Sequence, residues 1–254
     1  MEKIDSSMRV IDILETLKEN NKNGLGITDI SNITGHSKST VHRTMVALRE
    51  RGYVTRDSTT KKYKLGHKLW QLTNNLIDNL DVRHIARPYM EKLNEKYKES
   101  VHLIVRSGNY GLYIDKIDSP LPIGLQVHIG KRILLHSSAA GKVILAYTDN
   151  KDREQIFKAV GLPKITDNTL DDEKKLQKEL IDILNKGFAW NRGENRHDVY
   201  SVSAPIFDLN GKVVATLSIA GPSSRFTESE SNEIIQSIVN STKEISEKLG
   251  YPRK

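Results

Sequence analysis

From residue 30 to residue 49 the chain carries no acidic side chain, and within this stretch Gly35-His36-Ser37 separates two short helical patterns. Before the break, Asp29, Ile30 and Ile33 suit a helix capped by Thr28 and ended by Gly35. After it, Lys38 to about Arg51 reads as a helix with Val41, Met45 and Leu48 on its inward face and Val46 and Ala47 flanking, ended by Gly52. Upstream, Met8, Ile11, Leu14 and Leu17, with Val10 and Ile13 beside them, predict an amphipathic helix. Downstream, two short strands, Tyr53–Arg56 and Lys61–Leu65, flank a polar tip at Asp57–Thr60. Brace helix, short turn, reading helix and basic hairpin, in that order, predict a winged helix-turn-helix.

The charge follows this organisation. The 254 residues have a formal charge of +7; residues 1–66 hold 12 Lys/Arg against 8 Asp/Glu, and the remaining 188 hold 27 against 24. More than half of the basic excess therefore sits in about a quarter of the chain. A reading helix must show polar and basic groups from its first turns while burying apolar ones behind. Lys38, Ser39, Thr40, His42, Arg43 and Thr44 meet that need. Ser39, Thr40, His42, Arg43 and Thr44 are the candidates for base edges, and Lys38, Lys61 and Lys62 for phosphates. A basic helix face or a Lys-rich loop taken alone is usually only solvated; the ordered combination carries the reading.

The next segment spaces Leu65, Leu69, Leu72, Leu76 and Leu80 by 4-3-4-4, with Trp70 and Ile77 widening the stripe, as a helix does. The stripe suits either packing within the chain or a seam between two copies. A helix from Val82 to Tyr97 follows, with Pro88 early in it. Beyond it, strands are expected at Val101–Arg106 and Tyr110–Ile117 around Gly108-Asn109, at Ile123–Ile129, at Arg132–Leu135, and at Val199–Asp208 and Lys212–Ile219 around Asn210-Gly211. Helices are expected at Ala139–Tyr147, Lys151–Ala159 and Asp171–Lys186. A last one, with Ile234, Ile238, Ile245 and Leu249, follows the Thr227–Glu230 capping box. Strands and helices mix without a βαβ repeat, which predicts an α+β fold with a mainly antiparallel sheet.

Several function classes drop out. The chain has no cysteine, which excludes disulfides, thiolate metal sites and a thiol nucleophile. The N-terminus lacks a signal-peptide core and no apolar run of about 18 residues occurs, so a cytoplasmic protein without a membrane partner is expected. A Gly-x-Ser-x-Gly elbow is missing, and His136 stands where a P-loop before Gly141-Lys142 needs glycine. Ser58-Thr-Thr-Lys61 falls in the expected wing tip, and the neighbours His197 and Asp198 point to different faces. His128, His136 and Asp198 are the residues that could converge on a metal. The alternative to a DNA-binding regulator is a small-molecule-binding or metabolic enzyme domain that acts without sequence-specific DNA binding.

The ordered blocks RVIDILETL, GITDISNITGHSKSTVHRTMVALRERGYV, YKLGHKLWQL, IARPYMEKLNEKY, SVHLIV, YIDKIDS, LLHSSAAGKVILAY and SVSAPIFDLNGKVVATLSIAGPSSRFT together resemble the IclR family of bacterial transcription regulators. The resemblance implies a winged helix-turn-helix over 1–66, a linker helix over 67–81 used in dimerisation, and a GAF-like effector domain over 82–254. It implies a regulator, more often a repressor, acting as a homodimer or homotetramer on a pseudo-palindromic operator of a catabolic operon. It implies no cofactor and no catalytic residue. It also implies an effector pocket lined by Ala139, Ala140, Asn191, Ser201, Ser218 and Ala220, taking a small carboxylate such as a sugar acid. In the family's hallmark segment, here from Gly187 to Asp208, this chain has Asn191 where an acid is common, Ser201 where Cys is common and Asp198 where Gly is common. The small residues from His136 to Gly141 open a helix, where free N–H groups can hold a carboxylate.

Overall fold

The computed structural model describes residues 2–20, 23–69, 71–72 and 81–252, with the side chains of 2–6, 81 and 228–230 set aside. The chain forms two compact units, Met1–Asn79 and Leu80–Lys254. Among the described residues no helix is long and apolar enough to cross a membrane.

The first unit holds α1 (Glu2–Glu19), α2 (Ile27–Thr34), α3 (Lys38–Glu50) and the antiparallel strands β1 (Val54–Arg56) and β2 (Tyr63–Leu65). Its core is Ile13, Leu17, Ile30, Val41, Met45, Leu48, Val54 and Tyr63. The inward face of α3 is the predicted one. That of α1 is not: Met8 and Ile11 are about half exposed, while Val10, Ile13, Leu14 and Leu17 pack inward. A three-residue step drifts around a helix of 3.6 residues per turn, whereas 10, 13, 14 and 17 stay on one face. The cap of α2 also moves by two residues. Gly26 holds the N-cap position and its N–H donates to Asp29 Oδ2 at 3.0 Å, leaving Thr28 inside the first turn. Gly35 ends α2 at φ 74°, a left-handed conformation that favours glycine. Ser37 then caps α3, accepting from the Thr40 N–H at 3.3 Å.

The expected linker helix falls largely outside the described residues. Residues 67–69 and 71–72 are helical and Leu72 is half exposed; Trp70, Leu76, Ile77 and Leu80 lie outside.

The second unit is built on a six-stranded, fully antiparallel sheet in the order β5-β4-β3-β8-β7-β6. The strands are β3 (Ser100–Ser107), β4 (Tyr110–Ile117), β5 (Arg132–Ile133), β6 (Ala189–Arg192), β7 (Val199–Phe207) and β8 (Val213–Pro222). Helices α4 (Asp81–Tyr97) and α8 (Glu228–Lys248) close one core with Val101, Leu103, Val202, Ala204, Ile206, Leu217 and Ile219. Helices α5 (Ala139–Ala146), α6 (Asn150–Val160) and α7 (Glu173–Lys186) close the other, where Ile104, Tyr113 and Ala189 contribute. Because strand side chains alternate, the residues between those of the first core face α5. Many of them are small or polar: His102, Ser201, Ser203, Thr216, Ser218 and Ala220.

Two strand expectations change. Ile123–Ile129 forms no strand, and Ile123 and Ile129 are exposed. Pro120 and Pro122 precede it, and side chains take its carbonyls: Ser100 Oγ donates to Leu125 O at 3.0 Å and Arg225 to Ile123 O at 2.8 Å. The expected Arg132–Leu135 strand shortens to Arg132–Ile133. The edge strand β6, only four residues long, was not foreseen from pattern.

Candidate functional site

On α3, Lys38, Ser39, His42 and Arg43 are exposed and Thr40 and Thr44 half-buried. The first turn carries no acid, so nothing offsets the positive end of the helix dipole. The hydroxyls of Thr40 and Thr44 are already engaged. Ser37 Oγ donates to Thr40 Oγ1 at 2.9 Å, and Thr44 Oγ1 donates to the Thr40 carbonyl at 3.0 Å. Thr40, Arg43 and Thr44 also line an open groove between α1 and α3 with Arg9 and Arg51. In the wing, Asp57 Oδ1 accepts the N–H groups of Thr59 and Thr60 at 2.9 and 2.7 Å, holding the Asp57 carboxyl below its ordinary range. That turn puts Lys61 at φ 59°; Lys61 is exposed and Lys62 half-buried.

In the second unit, two cross-strand rows define a floor. One runs Ser100, Ala220, Ser201, Asn191, and the next runs His102, Ser218, Ser203, Ala189. Above the floor begins α5, with Ser138 as its N-cap accepting from Gly141 N–H at 3.1 Å. A Cβ on Gly141 would stand 2.3 Å from the Leu135 carbonyl oxygen, so only glycine lets the helix start this close to the preceding chain. Between floor and helix lies a cavity of about 40 Å³, room for a few water molecules. Ala139, Ala140, Asn191, Ser201, Ser218 and Ala220 all line it. So do further residues that sequence reasoning missed, among them the polar His102, Tyr113, Asn195 and Arg196. A polar residue in the apolar run Val101–Val105 was the available signal for His102.

The polar groups here have different duties. Asn191, 4 % exposed, donates through Nδ2 to the Ser137 carbonyl at 3.0 Å and accepts the Glu194 N–H through Oδ1 at 2.9 Å. Its amide therefore braces the start of α5 against the 193–198 loop, a task an acid could not do at both ends. Ser218 Oγ donates to Val202 O at 3.1 Å. His102 is 1 % exposed, its Nε2 has no hydrogen-bond partner, and burial pushes its pKa down to about 4, so it is neutral at pH 7. Arg196 is the one cation among the described residues lining the cavity, held by Asp198 at 3.1 Å on the surface. No acid lines it.

Two of the three residues expected to converge on a metal, His136 and Asp198, have other partners. His136 Nε2 lies 3.0 Å from Pro163 O, and Asp198 pairs with Arg196. Among the described residues no three His, Asp or Glu are grouped to hold an ion.

Comparison with known proteins completes the assignment. The family model for the bacterial transcriptional regulator IclR C-terminal domain matches residues 74–247, and that for the IclR helix-turn-helix domain matches residues 6–58. The chain is 32 % identical over 248 residues to the HTH-type transcriptional regulator KdgR of Escherichia coli (strain K12), covering 98 % of this chain and 94 % of that one. It is 32 % identical over 230 residues to the HTH-type transcriptional regulator KipR of Bacillus subtilis (strain 168), covering 91 % and 92 %. The crystal structure of the Thermotoga maritima IclR is similar at 32 % identity and a TM-score of 0.81, over 98 % of this chain and 100 % of that one. An IclR homolog from Microbacterium hydrocarbonoxydans, complexed with 4-hydroxybenzoate, shares the fold at 23 % identity and a TM-score of 0.85, over 96 % and 98 %. These relatives are regulators and not enzymes. A helix-turn-helix whose second helix has no acid in its first turn, a hairpin after it, a six-stranded antiparallel second unit and matches spanning both units agree: the chain belongs to the IclR family of bacterial transcription regulators and is a DNA-binding regulator.

Proposed function

We propose that this regulator represses a catabolic operon and leaves its operator when a small carboxylate, such as a sugar acid, enters the second unit. Two copies of α3 in a homodimer or homotetramer would read a pseudo-palindromic site through Ser39, His42 and Arg43, helped by Thr40 and Thr44. Lys38, Lys61 and Lys62 would neutralise phosphates. The observation that carries the effector half is the composition of the cavity wall. It combines the N-terminal turn of α5, uncharged hydroxyl and amide groups and one arginine, with no acid to repel an anion. The 4-hydroxybenzoate held by the Microbacterium homolog is also a carboxylate.

A cavity of about 40 Å³ is smaller than any sugar acid. Entry must therefore move part of the wall, and the Arg196 side chain, held by a surface ion pair with Asp198, is the part most easily displaced. Ligand changes DNA affinity only if it favours one arrangement of the dimer over another. The helix expected over 67–81 is the proposed transmitter. The test is a fluorescence anisotropy titration of the full chain on DNA flanking its own gene, with gluconate, galacturonate, pyruvate and benzoate added in turn. Salt-sensitive, sequence-selective binding that one acid weakens at least ten-fold supports the reading. Binding that no acid changes overturns the carboxylate half; tightening by acid overturns the repressor half.

A further inference from the structure

We infer that His102 selects the effector, using Nε2 to hold a hydroxyl or keto oxygen, so that the ligand is a hydroxy- or keto-carboxylate and not an unsubstituted acid. This rests on the carboxylate reading above and adds to it a residue and an oxygen.

The argument begins with the register. His102 pairs with Ser218, and Ser218 with Ser203, so the imidazole stands in the row of the sheet that faces α5. The ring lines the cavity and is 1 % exposed, yet its Nε2 has no partner. Buried polar atoms are nearly always paired, and the exceptions call for an explanation. Several neighbouring polar groups are turned to other partners. Both ends of the Asn191 amide are engaged, the Ser218 hydroxyl donates to Val202 O, and the Ser138 hydroxyl donates to Leu134 O at 2.9 Å while accepting Gly141 N–H. A packing role alone would be served by an apolar side chain.

The ring packs against an aromatic neighbour. It meets Tyr113 edge-on, with centroids 5.2 Å apart and planes at 73°. Ile104, Leu125 and Ile133 add apolar wall to the cavity. A ligand with its carboxylate at the α5 turn and Arg196 lays its carbon chain along these residues. His102 Nε2, buried and unpartnered, is the group we assign to a second polar atom of that ligand. A neutral imidazole serves both oxygen types, since an Nε2–H donates to a ketone and a bare Nε2 accepts from a hydroxyl. An unsubstituted chain leaves Nε2 unpaired, and sites built this way reject the analogue that lacks the oxygen.

The experiment is isothermal titration of the full chain with matched trios: pyruvate, lactate and propionate; 2-ketobutyrate, 2-hydroxybutyrate and butyrate; gluconate set against hexanoate. In at least one set the oxygenated acid should bind about ten-fold or more tightly than its plain counterpart, the effect of one buried hydrogen bond. His102→Phe, which keeps a flat ring beside Tyr113, and His102→Leu should remove most of that ratio by weakening the oxygenated acid alone. In the wild-type chain, the His102 ring ¹⁵N shift should move with the oxygenated acid and stay with the plain one, a readout that needs no variant to fold. If acids bind without this preference, if either variant keeps it, or if the ring signal does not move, the inference falls and the carboxylate reading stands. If no acid of any kind binds the wild-type chain, the carboxylate reading itself falls.

Discussion

Lys142 Nζ lies 2.6 Å from Glu194 Oε1 inside the second unit, where the lysine side chain is 1 % and the glutamate side chain 10 % exposed. Glu179, on α7, reaches the same ammonium at 3.2 Å. The pair ties α5 to the loop that carries Asn195 and Arg196 past the cavity. Burial pushes the Glu194 carboxyl above its ordinary range, and Lys142 pulls it back. Lys142→Met removes the pull and leaves a buried, uncompensated carboxylate. Urea denaturation at pH 7 should show a loss of about 3–5 kcal/mol. The sign of the pH effect follows: with its pKa raised further in the folded state, Glu194 takes up a proton as pH falls, so the deficit should shrink towards pH 5. A deficit that is small at pH 7, or constant with pH, would place the stability of this loop elsewhere.

Asn191→Asp keeps the shape of the side chain but removes the amide that donates to the Ser137 carbonyl. The carboxylate can still accept the Glu194 N–H. It would be buried next to a carbonyl and near Glu194. A destabilisation of about 1–3 kcal/mol is expected, with the thermal midpoint lowered accordingly. Unchanged stability would mean that the bracing is dispensable.

His102 gives an acid limit. Its folded pKa is about 4 against an ordinary 6.5, so between those values the unfolded chain binds a proton that the folded chain does not. Stability from this group is intact above pH 6.5 and declines as pH falls towards 4, by about 3 kcal/mol in all. The facing charges, Lys116 and Asp118, oppose each other, so burial decides the direction. The check is the unfolding midpoint of the wild-type chain and His102→Phe from pH 7 to pH 4. The wild type should show the steeper decline, and equal slopes would contradict the assignment.

Arg43 stands exposed on α3 with no acid in the first turn before it. Arg43→Ala should weaken operator binding by about 1–3 kcal/mol and relax the preference at one base pair if its contact is bidentate to guanine. Lys61→Ala with Lys62→Ala should weaken all sequences alike and flatten the dependence on salt by about one to two units of log–log slope. Affinity measured on the operator and on point-mutated operators separates the two effects.

Much of the fold was legible in the sequence because one local cause set each element. The face of α3 follows from Val41, Met45 and Leu48 at helical spacing, and both hairpins follow from Gly-Asn and Asn-Gly turns. The failures share a reason: a second arrangement satisfied the same local pattern. Met8 and Ile11 continue an apolar stripe, yet a three-residue step drifts around a helix of 3.6 residues per turn and carries them outward. Ile123–Ile129 is β-rich, but side chains from Ser100 and Arg225 take its carbonyls in place of a neighbouring strand. Ala189–Arg192 is too short to show a period and becomes a strand by pairing with β7. At the site, the six residues implied by family resemblance line one cavity. His102 was not foreseen, because a single polar residue in a buried strand reads locally as core, and only the register with Ser218 puts it in the cavity wall.

The account stands most directly on whether a small acid bound in the second unit changes the grip of the first on DNA. The measurement is the dissociation constant of the full chain for its own operator at fixed salt, with and without a saturating concentration of the acid that binds it most tightly. The account predicts an increase of at least ten-fold, a coupling of about 1.4 kcal/mol, with the reciprocal loss of acid affinity when DNA is bound. An operator affinity that saturating acid leaves unchanged would contradict it.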